Sequence, residues 1–182
     1  MTTKPNKLKR LFFALQMDSV CQQKILAYQQ QCQDLIPLAK ATSISNLHLT
    51  LHFMGLADEA YTECLHAAAA TVLSPSITGS LDITGYFKKP KIAWLGCKQA
   101  PQSLINLHQQ LAVALQNCGY YDQHEVFVPH VTLFRKFNST YLSLPMPVLE
   151  SISFTANRFV LMESISTDVG VQYQPIQSYT LK

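Results

Sequence analysis

Leu47-His48-Leu49-Thr50-Leu51 recurs as Pro129-His130-Val131-Thr132-Leu133, with the two histidines 82 residues apart (130 − 48). From Leu47 to Phe53 the alternation is strict: Leu47, Leu49, Leu51 and Phe53 on one face, His48, Thr50 and His52 on the other. A period of two marks a strand with one buried face. His48 and Thr50 therefore project together, and His130 and Thr132 do likewise. The same offset carries Arg10-Leu11-Phe12-Phe13-Ala14-Leu15 onto Ile92-Ala93-Trp94-Leu95-Gly96-Cys97, two short apolar runs with strand character. Between each run and its histidine lies a helical pattern. Cys21, Ile25, Tyr28, Cys32 and Leu35 step by four and three, as do Leu104, Leu107, Leu111, Leu115 and Cys118, with Pro101 suited to a first turn. Strand, helix and His-x-Thr strand thus occur twice at matched length.

Further out, Asp58–Leu73 is predicted as a helix capped by Asp58. Thr78–Phe87 is expected to be one strand, and Lys88-Lys89-Pro90-Lys91 a basic turn. Asn138–Pro147 reads as loop; Ser151–Phe154, Phe159–Glu163 and Tyr173–Leu181 read as strands, with Gly170 at a turn. The fold class is α+β, with strands flanking a central cleft.

A chain of 182 residues fits one domain, 1–182, and buries enough surface to need neither disulfide nor metal. Charged residues are only 14%, against about 25% in ordinary globular domains, which excludes a disordered tail or a coiled coil. A net charge of +3 suits a small anionic substrate better than a long duplex. Five cysteines without a C-x-x-C pair point to reduced thiols in a cytosol. The basic start, Lys4, Lys7, Lys9 and Arg10, is followed by an apolar run too short for a leader or a membrane helix.

Two imidazoles facing one space can divide general acid and general base work near neutral pH, and two threonine hydroxyls can hold a phosphate oxygen. A single H-x-T would read as a half-buried strand histidine; two copies in matched frames make the pair the functional expectation. Arg135, five residues past His130, could clamp a phosphate, though taken alone it also reads as a solvated strand-end arginine. His48 and His52 on a strand stand about 13 Å apart, too far to share an ion. His52 is expected at a strand end or cleft rim, and His66, His108 and His124 in ordinary surface or packing roles, so no metal site is expected. Phe12, Phe13 and Trp94 could stack a base but fit core positions better.

These residues resemble the two-histidine phosphoesterases, and within them the bacterial RNA 2′,3′-cyclic phosphodiesterases, also called 2′-5′ RNA ligases. The resemblance covers nearly the whole chain, through Arg10–Leu15, Asn46–Gly55, Phe87–Gly96, Phe127–Arg135 and Phe159–Ser164. It implies a bilobal, pseudo-two-fold fold with antiparallel sheets around a cleft and helices outside, and chemistry without metal or cofactor. It further implies His48 as proton donor to the leaving O3′, His130 as the base that activates water, and Thr50, Thr132 and Arg135 as phosphate contacts. The implied product is a 2′-phosphomonoester, and the reverse reaction would join RNA ends through a 2′-5′ bond. The one departure is Lys40-Ala41, where the family usually carries an Arg-Trp-type pair.

The expected partner is an RNA or oligonucleotide end bearing a 2′,3′-cyclic phosphate, handled by a cytoplasmic monomer without a membrane. Three other readings stand beside it: a phosphodiesterase for another cyclic or 2′-5′-linked nucleotide, an RNA-end-binding module without turnover, and a metal hydrolase.

Overall fold

A computed structural model describes residues 8–123, 126–168 and 170–182. In chain order the elements are β1 (Lys9–Gln16), α1 (Ser19–Gln33), β2 (Lys40–Ala41), β3 (His48–Ala57), α2 (Glu59–Ala70), β4 (Ile77–Leu81) and β5 (Ile83–Phe87). There follow β6 (Ile92–Gly96), α3 (Gln102–Leu115), β7 (His130–Arg135), β8 (Ile152–Ala156), β9 (Arg158–Thr167) and β10 (Gly170–Thr180). The main sheet is antiparallel in the order β10-β9-β1-β3-β7-β6-β5, with β2 added against β7; β4 and β8 form a separate ribbon.

The helices begin where the local chemistry says they should. Asp18 accepts a hydrogen bond from Cys21 N, and Asp58 one from Tyr61 N, each satisfying an amide that the first turn leaves without a helical partner. In α3, Leu104, Leu107, Leu111 and Leu115 are fully buried. Burial of each contributes about 1.5–3 kcal/mol. Helix α1 buries Cys21, Ile25, Tyr28 and Cys32 and stops before Leu35. Strand β1 is buried on both sides. Leu11, Phe13 and Leu15 join the main core under the helices, while Phe12 and Ala14 pack with Val160 and Met162 on the opposite face.

The pairing register repeats itself. Leu49 pairs with Val131, its equivalent at the 82-residue offset, so β3 and β7 cross at matched positions. Phe13 pairs with His52 and Ala14 with Thr50, which leaves Leu51 without an opposite residue. In the other half Ala93 pairs with Phe134 and Trp94 with Thr132, which leaves Leu133 unopposed in the same way. The outer strands therefore match at an offset of 80 (93 − 13), two fewer than the shift that aligns the histidines. Besides a second bulge in β3 at Met54, between the partners of Phe12 and Leu11, each half carries one just past its His-x-Thr.

That bulge corrects the expected alternation. An extra residue reverses the phase of a strand, so His52 is 2% exposed in the core and Phe53, expected inside, is 63% exposed. Two further expectations change. The run Thr78–Phe87 is two strands, split at Asp82 and sent to different sheets, with Asp82 N donating to Gly96 O and Asp82 Oδ1 accepting from Lys98 N. And Cys64 and Cys118 are joined in a disulfide with Cα atoms 5.8 Å apart, while Cys21, Cys32 and Cys97 remain thiols. Parity and spacing could not reveal that α2 packs against the 3-10 turn Gln116–Cys118. Among the described residues, no helix is long and apolar enough to cross a membrane.

Candidate active site

The first residues of β3 and β7 supply the two histidines. With Leu49 and Val131 turned into the core, His48, Thr50, His130 and Thr132 all lie half-buried on the opposite face of these strands. His48 donates from Nδ1 to Asn46 O at 2.7 Å, and the corresponding His130 Nδ1 bonds Val128 O at 2.8 Å. A carbonyl two residues upstream thus fixes each ring with Nε2 directed outward, the nitrogen available for chemistry. In the ligand-free protein His48 Nε2 is 3.0 Å from Thr50 Oγ1.

A cavity of about 980 Å³ opens over this face, lined by His48, Thr132, Arg135, Tyr173, Lys88 and Lys91 among others; Thr50 and His130 fall outside its lining. The basic turn Lys88–Lys91 therefore sits at the cleft, as does Lys40 of the Lys40-Ala41 pair, which runs antiparallel to Arg135 and Phe134. Arg135 reaches the cleft because of the bulge. Five residues beyond His130 a regular strand would show its opposite face, and the unopposed Leu133 restores the phase. The guanidinium donates to Tyr173 Oη at 3.1 Å.

Aromatic rings stand edge-on to both imidazoles. Tyr173 meets His48 at 4.8 Å and 86°, and Phe87 meets His130 at 5.0 Å and 86°. Phe12 backs His48 at 5.0 Å and Trp94 backs His130 at 6.0 Å. Trp94 can lie flat because Gly85 faces it, where a Cβ would come within 2.0 Å of the indole. Of the aromatics considered from sequence, Phe12 and Trp94 touch the histidines and Phe13 is core. Tyr173 and Asn46 had no signal of their own. Asn46 holds His48 through its backbone carbonyl, while its side chain accepts from Tyr173 N and donates to Val171 O, fastening β10 beside the histidine.

Burial disfavours charge on both rings. His48 is pushed down to about 4, chiefly by desolvation with a smaller push from His130 and Arg135, against which the Asn46 carbonyl works. His130 is lowered for the same main reason, partly offset by the Val128 carbonyl. The cleft thus disfavours charge on both imidazoles and sets them beside the Arg135 guanidinium and the Lys88–Lys91 turn, an arrangement that suits an anion.

Of the other histidines, His52, His66 and His108 lie away from this face. His66 bonds Tyr179 Oη at 2.6 Å, a packing role as expected. His52, expected at the rim, is turned by the bulge into a group with His108 and Asp122. His124 lies outside the described residues.

Comparison with known proteins agrees with this architecture. The family model for the 2′-5′ RNA ligase superfamily matches residues 28–168. The RNA 2′,3′-cyclic phosphodiesterase of Escherichia coli (strain K12) is 28% identical over 174 residues, covering 95% of this chain and 97% of that protein. The protein of the same name from Bacillus subtilis (strain 168) is 30% identical over 142 residues, 74% of this chain and 76% of its own. Among solved structures, E. coli LigT in apo form superposes with a TM-score of 0.84 at 26% identity, and its complex with 3′-AMP with 0.85 at 26%; both cover 97% of this chain and 99% of theirs. With a matching model over most of its length and the duplicated His-x-Thr frame in place, the chain belongs to the 2′-5′ RNA ligase superfamily.

Proposed function

We propose that this protein is an RNA 2′,3′-cyclic phosphodiesterase, acting as a single domain of two related lobes over residues 1–182. The observation that carries the reading is the crossing of β3 and β7 at Leu49 and Val131, which turns two His-x-Thr pairs to one face beside Arg135. The relatives that share this frame bear that name, and one solved relative holds a nucleoside monophosphate.

In the proposed reaction, His130 Nε2 takes a proton from water as its oxygen attacks phosphorus. The P–O3′ bond breaks, and His48 Nε2 donates a proton to the departing O3′, leaving a 2′-phosphomonoester and a free 3′-hydroxyl. Thr50, Thr132 and Arg135 hold the non-bridging oxygens. Arg135 suits this task because a guanidinium stays charged throughout and offers two parallel donors. The same steps, with an RNA 5′-hydroxyl in place of water, would form a 2′-5′ bond, and their reversal would cleave one.

The test is a short RNA ending in a 2′,3′-cyclic phosphate, incubated in EDTA with wild type, His48→Ala and His130→Ala. Wild type should release the 2′-phosphate alone, and each variant should lose about 10²–10⁴-fold in turnover while still binding the RNA. A 3′-phosphate product, or turnover that survives either substitution, contradicts the assignment.

A further inference from the structure

We propose that Lys91 and Lys136 form a second phosphate subsite at the far end of the cleft, which takes the internucleotide phosphate on the 5′ side of the terminal nucleotide. The subsite rests on the cyclic phosphodiesterase reading above and names the feature of the RNA, beyond its reacting end, that the cleft recognises.

The backbone brings the two lysines together. Ile92 pairs with Arg135, so Lys91 and Lys136 follow at the facing ends of β6 and β7, and Phe137 N donates to Lys91 O at 3.0 Å across them. Among the described residues they are the two non-glycine positions with positive φ, 64° at Lys91 and 55° at Lys136. A Cβ crowds that conformation; glycine adopts it freely, and asparagine is the side chain enriched there. Like charges on facing strand ends, each on strained backbone, oppose stability on two counts. Local folding therefore gives no reason for lysine at either position, whereas an anion held between them gives one.

Both charges face the cavity. Lys88, Lys91, Arg135 and Lys136 line it, and among the described lining residues there is no aspartate or glutamate. Among the described residues, no carboxylate forms an ion pair with Lys91 or Lys136. Thr132, on the histidine face, and Lys136 are four residues apart, about 10–13 Å along the strand, with Arg135 between them. The guanidinium thus meets the phosphate that reacts, and the lysines stand beyond it. A 2′,3′-cyclic mononucleotide with a free 5′-hydroxyl carries no charge to place there; a longer RNA carries its next phosphodiester. The cavity, about 980 Å³, is at the upper end of the range for small-molecule sites and has room for that extension.

The test uses two dinucleotides that end in a 2′,3′-cyclic phosphate and carry a 2′-O-methyl group on the upstream ribose, one with a phosphodiester linkage and one with a neutral methylphosphonate. At about 50 mM salt, kcat/KM of full-length wild type should be about tenfold higher for the charged linkage. In Lys91→Asn/Lys136→Asn that ratio should fall to about one or two, with a melting temperature no lower than wild type because asparagine suits the backbone. Lys91→Arg/Lys136→Arg should keep the ratio. Equal wild-type values for the two linkages overturn the proposal. A ratio that the asparagine variant keeps or the arginine variant loses does so too, as does a lower melting temperature in the asparagine variant, which would give the lysines a structural purpose. Calorimetric binding of both dinucleotides to His48→Ala should show the same preference in Kd. Should wild type hydrolyse neither dinucleotide, the phosphodiesterase reading fails, and the affinity ratio still decides the subsite: about tenfold supports it and equality overturns it.

Discussion

The pH dependence of turnover should differ between the free and the substrate-bound protein, by an amount the cleft itself sets. With His48 held near 4, only about one ligand-free molecule in a thousand carries its proton at pH 7. A phosphodiester monoanion about 4 Å from the ring, at an effective dielectric of about 20, favours the imidazolium by about 4 kcal/mol, or about three pK units. That returns His48 to about 7 in the complex, where it can serve as an acid at neutral pH. The parameter kcat/KM reports the free protein, in which both histidines lie below 6.5, so it should peak in mild acid and fall about tenfold per pH unit above pH 7. The parameter kcat reports the complex, and its alkaline limb should lie well above that of kcat/KM. Steady-state hydrolysis of a cyclic-phosphate RNA between pH 4 and 9, with the two parameters separated, measures both. Coincident limbs, or kcat/KM constant from pH 6 to 8, would refute the argument that the substrate's own charge restores the proton on His48.

Four other outcomes follow from named contacts. Tyr173→Phe keeps the ring against His48 but removes the acceptor for Arg135, and should cost about 1 kcal/mol in transition-state binding, a five- to tenfold drop in kcat/KM with little change in melting temperature. Gly85→Ala drives a methyl into Trp94 and should destabilise the fold by about 1–3 kcal/mol in thermal melts, moving the wall behind His130 as well. Gln29→Leu removes the side-chain donor that meets Leu133 O at 2.7 Å and Thr42 O at 3.1 Å, and should cost about 1–3 kcal/mol in urea unfolding. Because His48 is depressed on folding, its contribution to stability is complete above about pH 6.5 and declines as pH falls towards 4. Melting temperature followed over that window should slope less in His48→Ala than in wild type, and equal slopes would deny His48 that role.

What could be read from the sequence was whatever a fixed period or a local cap expresses. The four leucines of α3, the cap at Asp58 and the apolar face of Leu47, Leu49 and Leu51 all lie where the spacing puts them. The two His-x-Thr pairs share a face as alternation requires. The failures have a common cause, since each depends on a partner distant in the chain. Leu51 is an extra residue only because β1 pairs past it, so nothing within β3 announces that His52 turns inward. The strand after Thr78 divides because β4 finds β8 and β5 finds β6, and a ten-residue β-rich run cannot show two destinations. Tyr173 reaches Arg135 across 38 residues, and Cys64 meets Cys118 across 54.

The duplicated bulge sets equivalent positions of the two halves beside their histidines, and the residues there differ. In each half it brings the residue five past the histidine onto the histidine's face. In the second half that residue is Arg135, at the cleft with its donors directed at Tyr173; in the first it is Phe53, against Phe12 at 6.0 Å. One backbone device therefore supplies a fixed cation on one side and an apolar surface on the other. A strictly symmetric pair of arginines would bracket a single phosphate with two permanent charges and depress both histidines alike, whereas acid–base catalysis needs the two rings in opposite protonation states. Substitution at a single equivalent position, with the backbone left alone, separates the two halves of a duplicated frame into chemically distinct sides.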